Sequence, residues 1–171
     1  MANAKINKSK PEINWLKLIA SIVICQAAGI IGSIFTFAAI PTWYALLAKP
    51  TFAPPNWIFA PVWTLLFLLM GIALYLVWEK GATRETKLPL SLFAIQLALN
   101  VTWSFLFFSL RDPASAFIVI ILLWVAIAVT LLSFYSISRK AGWLMVPYLL
   151  WVTFAAYLNL TILLLNLTIS N

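Results

Sequence analysis

The chain has 171 residues, of which 64% are hydrophobic and 9% are charged, and its mean hydropathy is +1.04. Because soluble domains carry roughly 25% charged residues, this composition excludes a water-soluble domain and indicates an integral membrane protein. Eleven basic and four acidic residues give a net charge of +7, which we attribute to membrane topology and anionic lipid headgroups and not to a nucleic-acid partner.

Charged residues and prolines divide the chain into five apolar segments, each long enough to cross a bilayer. We predict an all-α membrane protein, a five-helix bundle in a single domain at residues 15–167, preceded by a polar, basic tail at 1–14. The predicted spans are residues 16–37, 58–78, 88–110, 114–137 and 143–167. The first apolar run is longer than a signal-peptide core of about 7 to 15 residues, so we interpret it as a span.

Span 1 carries a polar stripe and the only cysteine of the chain. The stripe consists of Gln26, Gly29, Ser33 and Thr36, and it should face the bundle interior. A lone cysteine cannot form a disulfide within the chain, and Cys25 is interpreted as a small packing residue. The chain contains no histidine, and we expect neither a metal site nor a cofactor.

A long loop, residues 38–57, separates spans 1 and 2 and is called the lid loop below. Residues 41–63 hold five of the nine prolines and three of the nine tryptophans. Because proline fixes φ and donates no N–H, Pro41, Pro50, Pro54 and Pro55 prevent the loop from joining either neighbouring helix. We predict a stiff aromatic lid over a pocket for a flat apolar ligand. Its aromatic residues are Trp43, Tyr44, Phe52 and Trp57.

Helical periodicity places aromatic and polar side chains of spans 2, 3 and 5 on inward faces. These residues are Trp63, Phe67 and Met70 in span 2, Gln96, Asn100 and Trp103 in span 3, and Tyr148, Trp151, Ala155 and Asn159 in span 5. A side-chain amide without a partner in hydrocarbon costs about 1 to 3 kcal/mol, so each amide must meet another group, a water or a ligand. Two interpretations stay open, a ligand site with an aromatic box, or hydrogen bonds and packing between helices.

The positions of small residues predict where two copies of the chain would pack together, and the distribution of basic residues predicts the orientation in the membrane. Ser91, Ala94 and Ala98 of span 3 form a candidate homodimer seam, and Ala28 with Gly32 of span 1 forms a competing one. Nine of the eleven basic residues fall on the side of the N-terminus, so the positive-inside rule places the N-terminus in the cytoplasm and the lid loop and C-terminus on the opposite side. Without an evident cleavable signal or transit peptide, we expect a prokaryotic cytoplasmic membrane.

The chain closely resembles the translocator protein family, also called the tryptophan-rich sensory proteins or peripheral benzodiazepine receptors, across about residues 15–167. The resemblance rests on Pro41-Thr42-Trp43-Tyr44, Lys49-Pro50, Pro54-Pro55-x-Trp57, Pro61-Val62-Trp63-Thr64, Gln96-Leu97-Ala98-Leu99-Asn100-x-x-Trp103 and Pro147-Tyr148-Leu149-Leu150-Trp151. It implies a five-helix bundle, usually dimeric, that binds porphyrins such as protoporphyrin IX, sterols and benzodiazepine-type drugs in a pocket under the first loop.

The resemblance also implies site residues and a chemistry. The family's pocket maps onto Trp63, Asn100, Trp103, Trp151, Ala155 and Leu158, with Trp43 and Phe52 near the lid. In bacterial relatives the tryptophans matching Trp63 and Trp151 are implicated in light-dependent oxidative breakdown of bound porphyrin, so these two are the candidate catalytic residues. No conventional catalytic constellation accompanies them. Vertebrate members carry a tyrosine and then a basic residue late in span 5, whereas no lysine or arginine follows Tyr157 here, which argues against sterol binding through that motif.

We therefore predict a membrane receptor or sensor for porphyrins and related flat apolar ligands, with light-dependent porphyrin degradation as an accompanying activity. The alternative is a transporter of porphyrins or other amphipathic molecules, although no charged residue lies deep in a span to couple ion flow. The predicted ligand-binding residues are Trp43, Tyr44, Phe52, Trp63, Phe67, Gln96, Asn100, Trp103, Tyr148, Trp151, Ala155 and Leu158.

Overall fold

The computed structural model describes residues 13–81 and 83–169, and these residues form helices and no strand. The α-helices are α1 (Trp15–Phe37), α2 (Trp43–Leu46), α3 (Phe59–Trp78), α4 (Arg84–Ser104), α5 (Pro113–Ile137) and α6 (Arg139–Ile169). A 3₁₀ turn at Asn56–Ile58 leads into α3, and a π-helical segment at Phe105–Ser109 extends α4. All helices except α2 are long and apolar enough to cross a membrane, alone or with these extensions, which confirms the all-α fold with five spans.

Two helices, α4 and α6, begin four residues before the spans predicted from hydropathy. α4 begins at Arg84, four residues before the predicted span, because Thr83 and Thr86 form a capping box in which the Thr83 N–H donates to the Thr86 hydroxyl at 3.0 Å. α6 begins at Arg139, where the Ser138 hydroxyl accepts from the N–H of Ala141 at 3.4 Å. Hydropathy marks where a helix enters the bilayer, whereas polar caps fix where it begins. Residues 1–12 of the predicted tail lie outside the described residues.

The five long helices close into a ring. α1 packs against α3 and α4, α5 packs against α4 and α6, and α6 returns to α3. Glycines permit the closest approaches: a Cβ at Gly71 of α3 would lie 2.7 Å from Cα of Ile22 of α1, and one at Gly142 of α6 would lie 2.6 Å from Cβ of Tyr135 of α5. Such small residues let membrane helices make close van der Waals contact.

A tight turn joins α4 to α5. Arg111 adopts a positive φ of 56°, and the Asp112 carboxylate accepts hydrogen bonds from the N–H groups of Ala114 and Ser115, both at 3.1 Å. Hydrogen bonds from the side chain and backbone of Ser115 lower the pKa of the Asp112 carboxyl. The turn fixes the start of α5, whose first carbonyl contributes to the site described next.

Candidate functional site: a cavity beneath the lid loop

A cavity of about 370 Å³ lies between α1, α3, α4 and α6, beneath the lid loop. Its volume falls within the range of roughly 300 to 1,000 Å³ that is typical of small-molecule sites. The lining includes Gln26, Gly29, Ser33 and Thr36 of α1, Trp63, Thr64 and Phe67 of α3, Asn100 and Trp103 of α4, and Trp151, Ala155, Leu158 and Asn159 of α6. No charged side chain is among the described lining residues, so the cavity is an apolar space with a few polar groups.

Aromatic rings from three helices form the cavity wall. The Trp63 ring centroid lies 5.7 Å from that of Phe67 and 6.3 Å from that of Trp103. On the side of α6, Trp151 lies 5.5 Å from Phe154 and 6.1 Å, edge to face, from Phe59. These separations are in the range of favourable aromatic pairs, so the rings hold one another in place and present further π-faces to the cavity.

Hydrogen bonds between helices orient the polar groups of the cavity. Nδ2 of Asn100 donates to the Tyr148 hydroxyl at 2.9 Å, which joins α4 to α6. Nε1 of Trp103 donates to Oδ1 of Asn159 at 3.1 Å, and Nδ2 of Asn159 donates to the Pro113 carbonyl at 2.9 Å. Asn100 and Asn159 therefore link helices and also line the cavity, so the two interpretations of these amides are compatible.

A hydrogen bond also joins α1 to α3 at the cavity. Nε2 of Gln26 donates to the Thr64 carbonyl of α3 at 3.0 Å. Since both residues line the cavity, this bond bridges α1 and α3 where the cavity meets the bundle surface.

The cavity opens sideways between α1 and α3. The lining residues Ile30 and Phe37 of α1 are 63% and 85% exposed, and Ala60 and Thr64 of α3 are also exposed. Across the cavity, the lining side chains of α4 are buried, Trp103 being 8% exposed. Because the exposed residues belong to helices that are long and apolar enough to span a membrane, we infer that the opening faces the bilayer. We call this opening the lateral window.

Eight of the twelve predicted ligand-binding residues lie together in the cavity lining. They are Tyr44, Trp63, Phe67, Asn100, Trp103, Trp151, Ala155 and Leu158. They come from four helices. The helical faces predicted to be inward account for all of them except Tyr44 of the lid loop and Leu158, which the family resemblance implied.

The other four predicted residues lie outside the lining. Trp43 packs edge to face against Phe107 at 5.6 Å, and Phe52 stacks on Tyr157 of α6 at 5.1 Å. Gln96 and Tyr148 are fully buried, with Gln96 one turn of α4 further from the lid loop than Asn100. Trp43 and Phe52 thus help to hold the lid loop, because their rings pack against the helices beneath it.

Sequence reasoning missed several lining residues near the end of α4. Ser104, Phe107 and Phe108 all line the cavity, and both phenylalanines belong to the π-helical segment. Phe107 lies four residues after Trp103, a spacing that would have identified it. Phe108 has the same spacing from Ser104, a lining residue that the predicted inward face did not include.

The lid loop is tied to α6 by one pair of hydrogen bonds and is stabilised by a second pair within the loop. The N–H of Ala48 donates to Oδ1 of Asn166 at 3.1 Å, and Nδ2 of Asn166 donates back to the Ala48 carbonyl at 3.0 Å. Nζ of Lys49 donates to the carbonyls of Tyr44 at 2.8 Å and Ala45 at 3.2 Å, which caps the short helix α2. The first pair of bonds ties the lid loop to the last turns of α6.

Comparison with known proteins agrees with these features. The sequence profile of the TspO/MBR family matches residues 21–165. The chain is 47% identical over 154 residues to the tryptophan-rich protein TspO of Archaeoglobus fulgidus, covering 90% of this chain and 99% of that protein. It is 46% identical over 155 residues to the tryptophan-rich protein TspO of Chlorobaculum tepidum, covering 88% and 96%. It is 36% identical over 147 residues to the human translocator protein, covering 85% and 87%. The chain is therefore a multi-pass membrane protein that belongs to the TspO/MBR family.

Proposed function

We propose that the chain is a membrane receptor or sensor that binds porphyrins, of the protoporphyrin IX type, in the cavity beneath the lid loop. The observation that carries the proposal is an uncharged cavity walled by the indoles of Trp63, Trp103 and Trp151. Flat apolar rings stack favourably on such walls. Since the described lining offers no cation, the acidic groups of a porphyrin would point towards the lid-loop side of the cavity, nearer the membrane surface.

Light-dependent breakdown of the bound porphyrin is the accompanying activity that we propose. Indole is electron-rich and oxidisable, so excited porphyrin or the singlet oxygen it generates would react through Trp63 or Trp151. Both side chains line the cavity and would contact a bound ring system. Among the described residues no cluster of histidine, cysteine, aspartate or glutamate could hold a metal ion, and the proposed chemistry requires none.

The proposed ligand site is tested by titrating purified protein with protoporphyrin IX and following quenching of tryptophan fluorescence. We expect saturable binding at micromolar or tighter affinity, and roughly tenfold weaker binding for Asn100→Leu, the factor that about 1.4 kcal/mol produces. Tyr148→Phe is the control, because it removes the hydrogen-bond partner of Asn100 and leaves the amide in the lining. If both variants lose stability and neither loses affinity, Asn100 only links helices. Absence of saturable binding by the unaltered protein would refute the proposed function.

We expect Asn166→Leu to release the lid loop and speed ligand dissociation about tenfold. The substitution removes both hydrogen bonds to Ala48, and a loss of about 1.4 kcal/mol corresponds to that factor. Stopped-flow fluorescence would measure the rate. Thr161→Val is the matched control on the same helix, because the Thr161 hydroxyl donates to Tyr157 within α6. Equal rates for both variants would show that the Ala48 contact does not retain the ligand.

Transport is the second candidate function, and the lateral window is the observation that favours it. A window facing hydrocarbon would admit an amphipathic molecule directly from the bilayer. Accumulation of porphyrin in sealed proteoliposomes, beyond the uptake of empty vesicles, would support transport over capture alone.

We also propose a homodimer and an orientation. Ser91, Ala94 and Ala98 are exposed on the outside of α4, where a second copy would reach them. The competing pair, Ala28 and Gly32, is buried within the bundle, so it is less suited to a dimer seam. We place the N-terminus in the cytoplasm of a prokaryotic cell, with the lid loop on the other side of its cytoplasmic membrane.

A further inference from the structure

Buried polar atoms without a protein partner lie below the cavity, on the side away from the lid loop. Oγ of Ser21 in α1 and both Nε2 and Oε1 of Gln96 in α4 have no hydrogen-bond partner, and both residues are 0% exposed. A buried amide or hydroxyl left in this state costs about 1 to 3 kcal/mol, and more in surroundings that cannot hydrogen-bond. Such a group in a membrane bundle requires an explanation.

The packing of α1 on α4 places Ser21 within about one helical turn of the depth of Gln96. Both helices run from the N-terminal side of the membrane towards the side of the lid loop, and a Cβ at Gly32 would lie 3.3 Å from the Ser104 hydroxyl. Gln96 is eight residues before Ser104, about 12 Å along the helix axis. The same distance back from Gly32 falls between Ser21 and Cys25, which are one turn apart on the buried stripe of α1.

Tyr148 of α6 borders the same region. Its hydroxyl accepts from Nδ2 of Asn100, one turn above Gln96 on α4, and its own proton has no acceptor among the hydrogen bonds of the described residues. The buried stripe of α1 at this level consists of the small side chains Ser21, Cys25 and Ala28.

We propose that Ser21, Gln96 and Tyr148 enclose an internal hydration site that holds one or two ordered water molecules. Water has the required chemistry, because it can accept from Nε2 of Gln96 and the Tyr148 hydroxyl and can donate to Oε1 of Gln96 and to Ser21. Buried waters typically make about three such bonds to otherwise unsatisfied groups.

The hydration site is separate from the ligand cavity. None of Ser21, Gln96 and Tyr148 is in the cavity lining, whereas Asn100 lines the cavity and bonds to Tyr148. Asn100 thus divides the two spaces, and the water below stays in place whether or not a ligand occupies the cavity. The site connects α1, α4 and α6 and fixes the hydroxyl that orients the Asn100 amide.

Radiolytic footprinting of the full chain in lipid nanodiscs, without ligand, tests the proposal. X-ray pulses generate hydroxyl radicals from bound water, so an aromatic ring beside an internal water is oxidised although bulk solvent cannot reach it. We expect oxidation of Tyr148. Phe134 should stay unlabelled, because it is also 0% exposed but is stacked on Phe93 at 5.5 Å. A Tyr148 label as weak as that of Phe134 would overturn the proposal.

Two variants test whether Gln96 and Ser21 bind the proposed water. Gln96→Met keeps the length of the side chain and removes both polar atoms, and Ser21→Ala removes one hydroxyl from the other wall. We expect loss of the Tyr148 label in Gln96→Met and a weaker label in Ser21→Ala, which serves as the decisive variant if Gln96→Met does not fold. An undiminished label in every folded variant would also overturn the proposal, since the water would then lie elsewhere. Because no step involves porphyrin, these outcomes are independent of the proposed function.

Discussion

Trp63→Phe and Trp151→Phe are each expected to slow light-driven bleaching of bound protoporphyrin IX by about tenfold, while the fold and ligand affinity are retained. Phenylalanine keeps an aromatic face towards the cavity but is a much poorer electron donor than indole. A barrier higher by about 1.4 kcal/mol is sufficient for that factor. Trp151 suits the test well, because its Nε1 has no protein partner and the substitution breaks no hydrogen bond. The decay of the porphyrin absorption band under constant illumination measures the rate.

Trp124→Phe provides the matched control. Trp124 lies on α5, outside the cavity lining, and donates to the Thr153 hydroxyl at 2.7 Å, so its replacement alters an indole remote from the ligand. Trp103→Phe is a poor control, since it would also break the bond to Asn159. Bleaching at the unaltered rate in both cavity variants, with affinity preserved, would reject the chemical role of Trp63 and Trp151. The receptor function would survive that result.

Gly71→Ala is expected to destabilise the bundle by about 1 to 3 kcal/mol, the usual cost of overpacking. The added Cβ would lie 2.7 Å from Cα and 3.2 Å from N of Ile22, so it meets backbone and not the end of a flexible side chain. α1 and α3 would have to separate, which would widen the lateral window between them. A lower thermal unfolding temperature in detergent, monitored by circular dichroism, is the expected observation.

Gly29→Ala is the matched substitution at the cavity. Its Cβ would lie 2.6 Å from Cδ2 of Phe67, a side-chain atom of the lining, and the ring can yield by turning into the cavity. We expect a smaller loss of stability than for Gly71→Ala and a larger loss of porphyrin affinity. An unchanged unfolding temperature for Gly71→Ala would contradict the close approach of α1 and α3.

The sequence predicts only part of the structure of the lid loop. Its prolines predict a segment that joins neither neighbouring helix, and the structure places a short helix and a 3₁₀ turn there, between α1 and α3. Its attachment to Asn166, 118 residues further along the chain, has no local signal. The same holds for the π-helical segment, because the regular helical period does not predict where a turn widens.

The sequence by itself determined that the chain spans a membrane five times and which faces of its helices point inward. Both follow from local rules, since the cost of exposing charge to hydrocarbon marks the spans and the period of 3.6 residues assigns each side chain to a face. Tertiary structure decided which inward groups meet. Asn100 bonds to Tyr148, Trp103 bonds to Asn159, and the window opens between α1 and α3 because of how the helices are ordered and how far each is shifted along its neighbour. Those shifts arise from contacts such as that of Gly71 with Ile22. Because such a contact involves two segments that are distant in sequence, the periodicity of neither segment predicts it.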